Sequence, residues 1–286
     1  MNIPLKPTTP LASDIGPNTP PSPSVSIVVP SYRRPRDLMR CLVGIGAMDE
    51  WPEEVVVVFL DDDAEPLPDW LHRLRVWFAQ DVAIAGVGGR DILMGPSHAA
   101  ERQLPPVKRV GRVTWYGRCI GNHHRGTLGP VDVDVLKGCN MAYRRELVWF
   151  DSHLRGHGAQ VHNEFVLGLW LRDQGYRLVY DPHLVVRHYV AERFDEDGRV
   201  VRTPTAIANE AFNQLYALAV RPCRVRAWLG VGYALSVGSR AVPRILRGLV
   251  AVLRGERQTI RALWPSLRGK LAAVPCLWGG AWYVRK

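Results

Sequence analysis

Val55-Val56-Val57-Val58-Phe59-Leu60-Asp61-Asp62-Asp63-Ala64-Glu65-Pro66 is the stretch from which the fold is read. Its first six residues are apolar and four of them are valine, a strand buried on both faces of a mostly parallel sheet. The strand delivers three carboxylates to its C-terminal end, the side of such a sheet on which ligands bind. Side chains alternate along a strand, so Asp61 and Asp63 share a face and Asp62 points away. Two carboxylates held that close repel each other unless a cation neutralises them. A hard divalent cation with oxygen ligands answers that need, especially one that also carries the phosphates of a nucleotide. The alternative is a polar strand end solvated by water.

Outward from this stretch, Ser24-Val25-Ser26-Ile27-Val28-Val29-Pro30-Ser31-Tyr32-Arg33-Arg34-Pro35 predicts a strand, a turn and a helix opened by proline. The expected layout is strand 25–30, helix 35–47, strand 54–60, helix 67–79 and strand 82–88, then a glycine- and proline-rich irregular stretch from about 90 to 130. Strand 131–136, a short helix 142–149, helix 163–174, strands 177–180 and 184–189 and a helical tail from about 205 complete it. The domains are a disordered proline-rich leader 1–24, an α/β domain 25–204 and a basic amphipathic helical tail 205–286. The leader has no apolar core that a signal peptide would need.

Two later blocks join the first two: Leu136-Lys137-Gly138-Cys139-Asn140-Met141-Ala142-Tyr143-Arg144-Arg145-Glu146 and Arg172-Asp173-Gln174-Gly175-Tyr176-Arg177-Leu178-Val179-Tyr180-Asp181-Pro182. In this order the four blocks resemble the family 2 glycosyltransferases. That resemblance spans roughly Val25 to Tyr189. It implies the GT-A fold, a Rossmann-related α/β architecture with a mixed, mostly parallel sheet flanked by helices. It implies sugar transfer, with inversion, from a nucleotide-sugar donor to a hydroxyl acceptor; the basic, membrane-facing tail suggests that this acceptor is a glycan or lipid-linked molecule of the cell envelope. An Asp-x-Asp motif of that family holds Mn2+ or Mg2+, which here falls on Asp61 and Asp63. Pro30, Tyr32, Asp61, Asp62 and Arg144 take the donor-binding positions, and Asn140, His162 and Asn163 the acceptor-binding ones.

The family's general base lies about eleven residues before the glycine matched by Gly175, which places the role on Glu164. A carboxylate within hydrogen-bond reach can deprotonate a sugar hydroxyl. An acid at a helix N-terminus also gains ~0.3–1 kcal/mol from the macrodipole, so a purely structural role stands beside the catalytic one. His188 closes a strand where related enzymes carry a further metal ligand; a histidine satisfied by hydrogen bonds is the other reading. Arg144 and Arg145 match phosphate geometry or form a solvated helix surface.

The chain departs from the family between helix 35–47 and Asp61, where it has one strand instead of strand, helix and strand. The acidic pair that contacts the base has no counterpart. A second reading follows: a shortened, catalytically inactive relative that binds glycan or a partner at a membrane.

The five cysteines are scattered and never in a C-x-x-C pair, which fits reduced thiols in the cytoplasm. Cys119 with His123 and His124 forms a weaker metal-ligand pattern. From Arg221 to Lys286 there are thirteen Lys and Arg against a single acid, Glu256, so the whole basic excess of the chain sits in the tail. That excludes a basic catalytic domain wrapped round nucleic acid and points to a separate basic surface element. The uncharged run Ala227 to Ser239 is shorter than the ~20 residues a spanning helix needs. Arg240, Arg244, Arg247 and Arg254 recur beside Ile245, Leu246, Leu249, Val250 and Leu253. This predicts a helix in the interface of an anionic membrane, peripheral on the inner face of the plasma membrane. Its alternative is a helix packed on the catalytic domain with an arginine-rich solvent face.

Overall fold

Valine-rich and apolar runs form the interior of the sheet. The computed structural model describes residues 25–49, 56–156, 161–192, 202–238 and 242–278. The leader expected over 1–24, the first residues of the strand begun at Glu54, and Arg240 lie outside the described residues.

In chain order the strands are β1 (Val25–Val28), β2 (Val56–Phe59), β3 (Ala64–Pro66), β4 (Ile84–Leu93), β5 (Arg112–Val113), β6 (Cys119–Ile120), β7 (Val131–Val133), β8 (Met141–Arg144) and β9 (Arg177–His188). The helices are α1 (Pro35–Gly46), α2 (Trp70–Gln80), α3 (Ala99–Arg102), α4 (Asn163–Asp173), α5 (Pro204–Ala219), α6 (Arg224–Ser236), α7 (Ile245–Leu253) and α8 (Arg257–Ala273).

The main sheet runs β1-β2-β8-β4-β9-β3, with β7 also paired to β9. Strands β1, β2, β4 and β9 point one way; β3, β7 and β8 oppose them. The sheet is therefore mixed, with its long strands parallel, and helices cover both faces. Val56, Val58, Ile84 and Val87 pack under Trp70, Leu71, Leu74 and Phe78 of α2. Tyr143, Leu178 and Tyr180 pack under Leu167 and Leu171 of α4 on the other face. Beyond α4, Phe165, Val166 and Leu169 join residues of α5, α6 and α8 in a further core. The tail helices are thus continuous with the body of the protein, through α5 above all. Thr203 caps α5 by accepting from Ala206 N at 3.0 Å, with Pro204 in the first turn.

Three expectations change. Helix 142–149 is instead β8 followed by one 3-10 turn, Arg145–Leu147. The slot between β2 and β4 accepts a strand, and ladders on both sides outweigh helix propensity. Strand 82–88 continues to Leu93 as β4. The two strands expected at 177–180 and 184–189 are one strand, β9. Its register against β4 jumps from Gly89↔Asp181 to Arg90↔Val185, so Pro182, His183 and Leu184 form a bulge. Proline has no N–H to give to a ladder, and the bulge removes it from one.

Candidate active site

The aspartates close a tight reversal between β2 and β3, with Ala64 N donating to Asp61 O at 2.9 Å. β3 then pairs antiparallel with the end of β9, setting Ala64 opposite His188. This register carries the histidine to the acids. Ligand atoms of Asp61, Asp63 and His188 all lie within 4.8 Å of one another. His188 Nε2 stands 3.2 Å from Asp63 Oδ1, and its Nδ1 stands 3.4 Å from Asp91 Oδ2. Lys137 also pairs with Asp91, and Cys139 forms a second potential ligand group with Asp91 and His188. Asp63, Asp91 and His188 are buried, whereas Asp61 is partly exposed.

Burial favours a neutral His188, but hydrogen bonds to Asp63, Asp91 and Cys139 outweigh it and lift the imidazole to about 11. With no cation bound the ring serves as counter-charge to Asp63 and Asp91, and it gives up that proton to act as a metal ligand. Burial likewise pushes the Asp91 carboxyl up, yet His188 and Lys137 hold it below the usual carboxylate range. Asp62 shares its strand phase with Val56, Val58 and Leu60 and turns toward the start of α1. There it meets Arg34 Nη2 at 2.6 Å, while Arg34 Nη1 reaches Asp63 Oδ2 at 3.4 Å. Burial raises the Asp62 carboxyl, tempered by Ser31 and Arg34. Asp62 therefore fastens the β1–α1 turn to the acidic reversal and has no face toward a donor. In that turn Pro30 and Tyr32 are exposed, and Arg33 (φ 56°) lays its guanidinium over the Tyr32 ring at 5.1 Å.

Asn140 and Arg144 do not line a binding surface. Asn140 is fully buried, accepting from Trp70 Nε1 at 3.0 Å and donating to Leu184 O at 2.9 Å. Arg144 donates to Ile84 O at 2.9 Å, Phe78 O at 2.9 Å and Asp81 O at 3.1 Å, where α2 ends and β4 begins. That is the end of the sheet opposite the aspartates.

His162 precedes α4 in a left-handed conformation (φ 77°), its Nε2 3.7 Å from Glu210 Oε1 on α5. Burial opposes its charge, but Glu210 prevails and raises the imidazole, while Arg202 pairs with the same carboxylate. Asn163 opens α4 and Glu164 occupies its first turn. Burial first, and then the Glu164 charge, raises the Tyr143 hydroxyl. Cys119 is exposed. A cavity of about 430 Å³ reaches Cys119 and is lined also by Arg118, Gln214, Tyr233 and Arg247. It holds none of the aspartates. Cys119, His123 and His124 form no ligand group among the described residues: His123 Nε2 lies 3.1 Å from Val135 O.

Asp91 and Lys137 were not singled out by sequence reasoning. Asp91 hid behind Gly86, Gly88 and Gly89, which read as the end of a strand. Those glycines serve close packing: a Cβ on Gly89 would lie 1.7 Å from Leu184 O. The apolar pair Ile92-Leu93 beyond Asp91 was the available signal that the strand continues.

No protein-family model matches the sequence, and no curated protein matches it. Among solved structures the chain is similar to the mannosyltransferase PcManGT from Pyrobaculum calidifontis in complex with GDP-Man and Mn2+. The identity is 15% over 93% of this chain and 90% of that one, with a TM-score of 0.46. It is also similar to GalNAc-T7 with UDP, GalNAc and Mn2+, at 16% identity and a TM-score of 0.39, covering 59% of this chain and 34% of that one.

Proposed function

We propose that the protein is an inverting, metal-assisted glycosyltransferase that moves a sugar from a nucleoside diphosphate to a hydroxyl acceptor. The observation that carries this reading is the meeting of Asp61, Asp63 and His188 ligand atoms within 4.8 Å, at the carboxyl end of β2 and β9. The donor set fits a divalent ion, because two carboxylates and an imidazole bring oxygen and nitrogen donors to one point, with only Arg34 and His188 set against the acids' charge. The imidazole favours Mn2+ over Mg2+, which prefers oxygen ligands and dehydrates reluctantly. When bound, the cation supplies charge neutralisation to the diphosphate leaving group.

The remaining work falls to the chain. Arg34 holds the acidic reversal in place through Asp62 and Asp63. The exposed Tyr32 in the β1–α1 turn offers a face to the donor. Glu164 accepts the acceptor's proton as the new bond to the anomeric carbon forms and the bond to the diphosphate breaks. The cavity lined by Cys119 offers the polar groups of Arg118, Gln214 and Tyr233 to an acceptor.

A second reading, binding without turnover, is favoured by one observation. β1 is the sheet's edge, and among the described residues no strand lies beyond it to carry acids toward a base. Calorimetric titration with GDP and UDP, with and without Mn2+, tests the donor site. Asp63→Ala is expected to abolish the Mn2+-dependent part of the affinity; unchanged affinity would remove the metal assignment. Metal-dependent binding with no diphosphate released from any GDP- or UDP-sugar, across a panel of hydroxyl acceptors, would leave the second reading.

A further inference from the structure

Sequence spacing placed arginines and leucines on different sides of α7 without saying which side faces the protein. α7 packs on α8, but the side it turns to solvent is aliphatic and not arginine-rich. Arg244 is buried, Arg247 Nη2 pairs with Glu256 Oε2 at 2.8 Å, and Gly248 and Ala251 face inward, Gly248 against Leu263 of α8. Ile245, Leu246, Leu249, Val252 and Leu253 point out, between 53% and 87% exposed. Their spacing of i, i+1, i+4, i+7 and i+8 is one continuous helical face. Five large aliphatic side chains in one exposed row mark an interaction surface rather than scattered surface residues.

Charge selects the occupant. Arg221, Arg244 and Lys270 are buried, but Arg226, Arg254, Arg257, Arg261 and Arg268 are exposed, and the one acid between residues 221 and 286, Glu256, is consumed by Arg247 and Thr259. Arg254, Arg257 and Arg261, which follow directly on α7, are exposed. A second copy of the chain would set this basic surface against itself. Nucleic acid would meet the arginines and leave the leucines in water. A nine-residue helix is only ~14 Å long, and no helix among the described residues is long and apolar enough to cross a membrane.

We propose that α7 lies in the interface of an anionic bilayer, its aliphatic row sunk at the headgroup–acyl boundary and Arg254, Arg257 and Arg261 on lipid phosphates. Basic residues near such a surface contribute ~1 kcal/mol each, attraction that decays within a Debye length, and burial of the apolar row holds the helix there. The inference does not depend on the glycosyl-transfer reading.

The test uses the full chain with vesicles of phosphatidylcholine, alone or mixed with phosphatidylglycerol. Co-sedimentation is expected only with the mixed vesicles, weakened by salt. Leu246→Glu/Leu249→Glu, two exposed positions, should bind at least about tenfold more weakly with an unchanged melting curve and unchanged gel-filtration position. Should that pair lower the melting temperature, the same loss is required of Leu253→Glu, the most exposed position of the row. Failure of the wild type to bind the mixed vesicles, or full binding by the variants, would overturn the proposal. So would a wild-type dimer that Leu246→Glu/Leu249→Glu splits, which would assign the face to a second copy.

Discussion

Arg34 and Arg144 are each surrounded by oxygen, yet they serve opposite ends of the sheet. Arg34 answers two carboxylates, whereas Arg144 answers three carbonyls. Asn140 lies just before β8 and Arg144 at its end. The extended chain between them spans ~14 Å, from the site end of the sheet to the far end. Arg144→Ala should lower folding stability by about 2–3 kcal/mol, since three hydrogen bonds to a charged donor are lost while solvent partly replaces them. Urea unfolding would show this as a lower midpoint, and calorimetry should show unchanged nucleotide affinity; weakened affinity would return Arg144 to the donor site. Glu164 has a different signature. Glu164→Gln keeps size and polarity but removes the proton acceptor, so kcat should fall by ~10²-fold or more with donor affinity little changed. Near-normal turnover would make Glu164 a helix-terminus stabiliser only.

At the scale of elements, the pairing of β4 with β9 builds the site. Their ladder runs past the bulge at Pro182–Leu184 and resumes at Arg90↔Val185, which ends with Leu93 opposite His188. A slip of one residue would turn His188 to the other face and away from Asp63. The bulge is held by Leu184 O, which accepts from Asn140 Nδ2 at 2.9 Å and passes so close to Gly89 that no Cβ fits. Gly89→Ala should therefore cost about 3 kcal/mol or more, since backbone rather than a pliable side chain must move. The melting temperature should drop and Mn2+ affinity should fall with it. An unchanged melting temperature would show that the bulge yields cheaply. The two apolar runs of β9 were legible, as was the turn signal between them. Their union was not, because Pro182 reads locally as a breaker and only the partner strand shows that a bulge accommodates it. The aspartates and His188 were legible one by one; the β3–β9 pairing that joins them lies in three residues with no strand pattern of their own.

For the molecule as a whole, the asymmetry of charge was plain in the sequence, but the direction in which each cation points was decided by packing. Helical periodicity fixes the relative phase of side chains, not which phase meets a neighbour. Lys270 is the extreme case, a fully buried cation among the tail helices that donates to Ala234 O at 2.8 Å and Val242 O at 3.0 Å. Burial first, then the nearby Arg244, lowers its ammonium from 10.5 to about 7, against an opposing pull from Glu210. Glu210 is largely engaged by Arg202 and His162. Because the folded state releases this proton more readily than the unfolded state, the unfolded state binds more protons between those two values. Stability from this group is therefore greatest above the unfolded value, falls as pH is lowered toward about 7, and stays level below it. Lys270→Met has no such dependence. Other groups, His162 and His188 included, titrate in both proteins and cancel in the difference. Urea unfolding of wild type and Lys270→Met at two pH values separated by two units above neutrality should show the wild type gaining about 2 kcal/mol relative to the variant at the higher pH. A pH-independent difference would mean that the two carbonyls keep Lys270 charged in the folded protein, and that the tail helices are closed round a permanent cation.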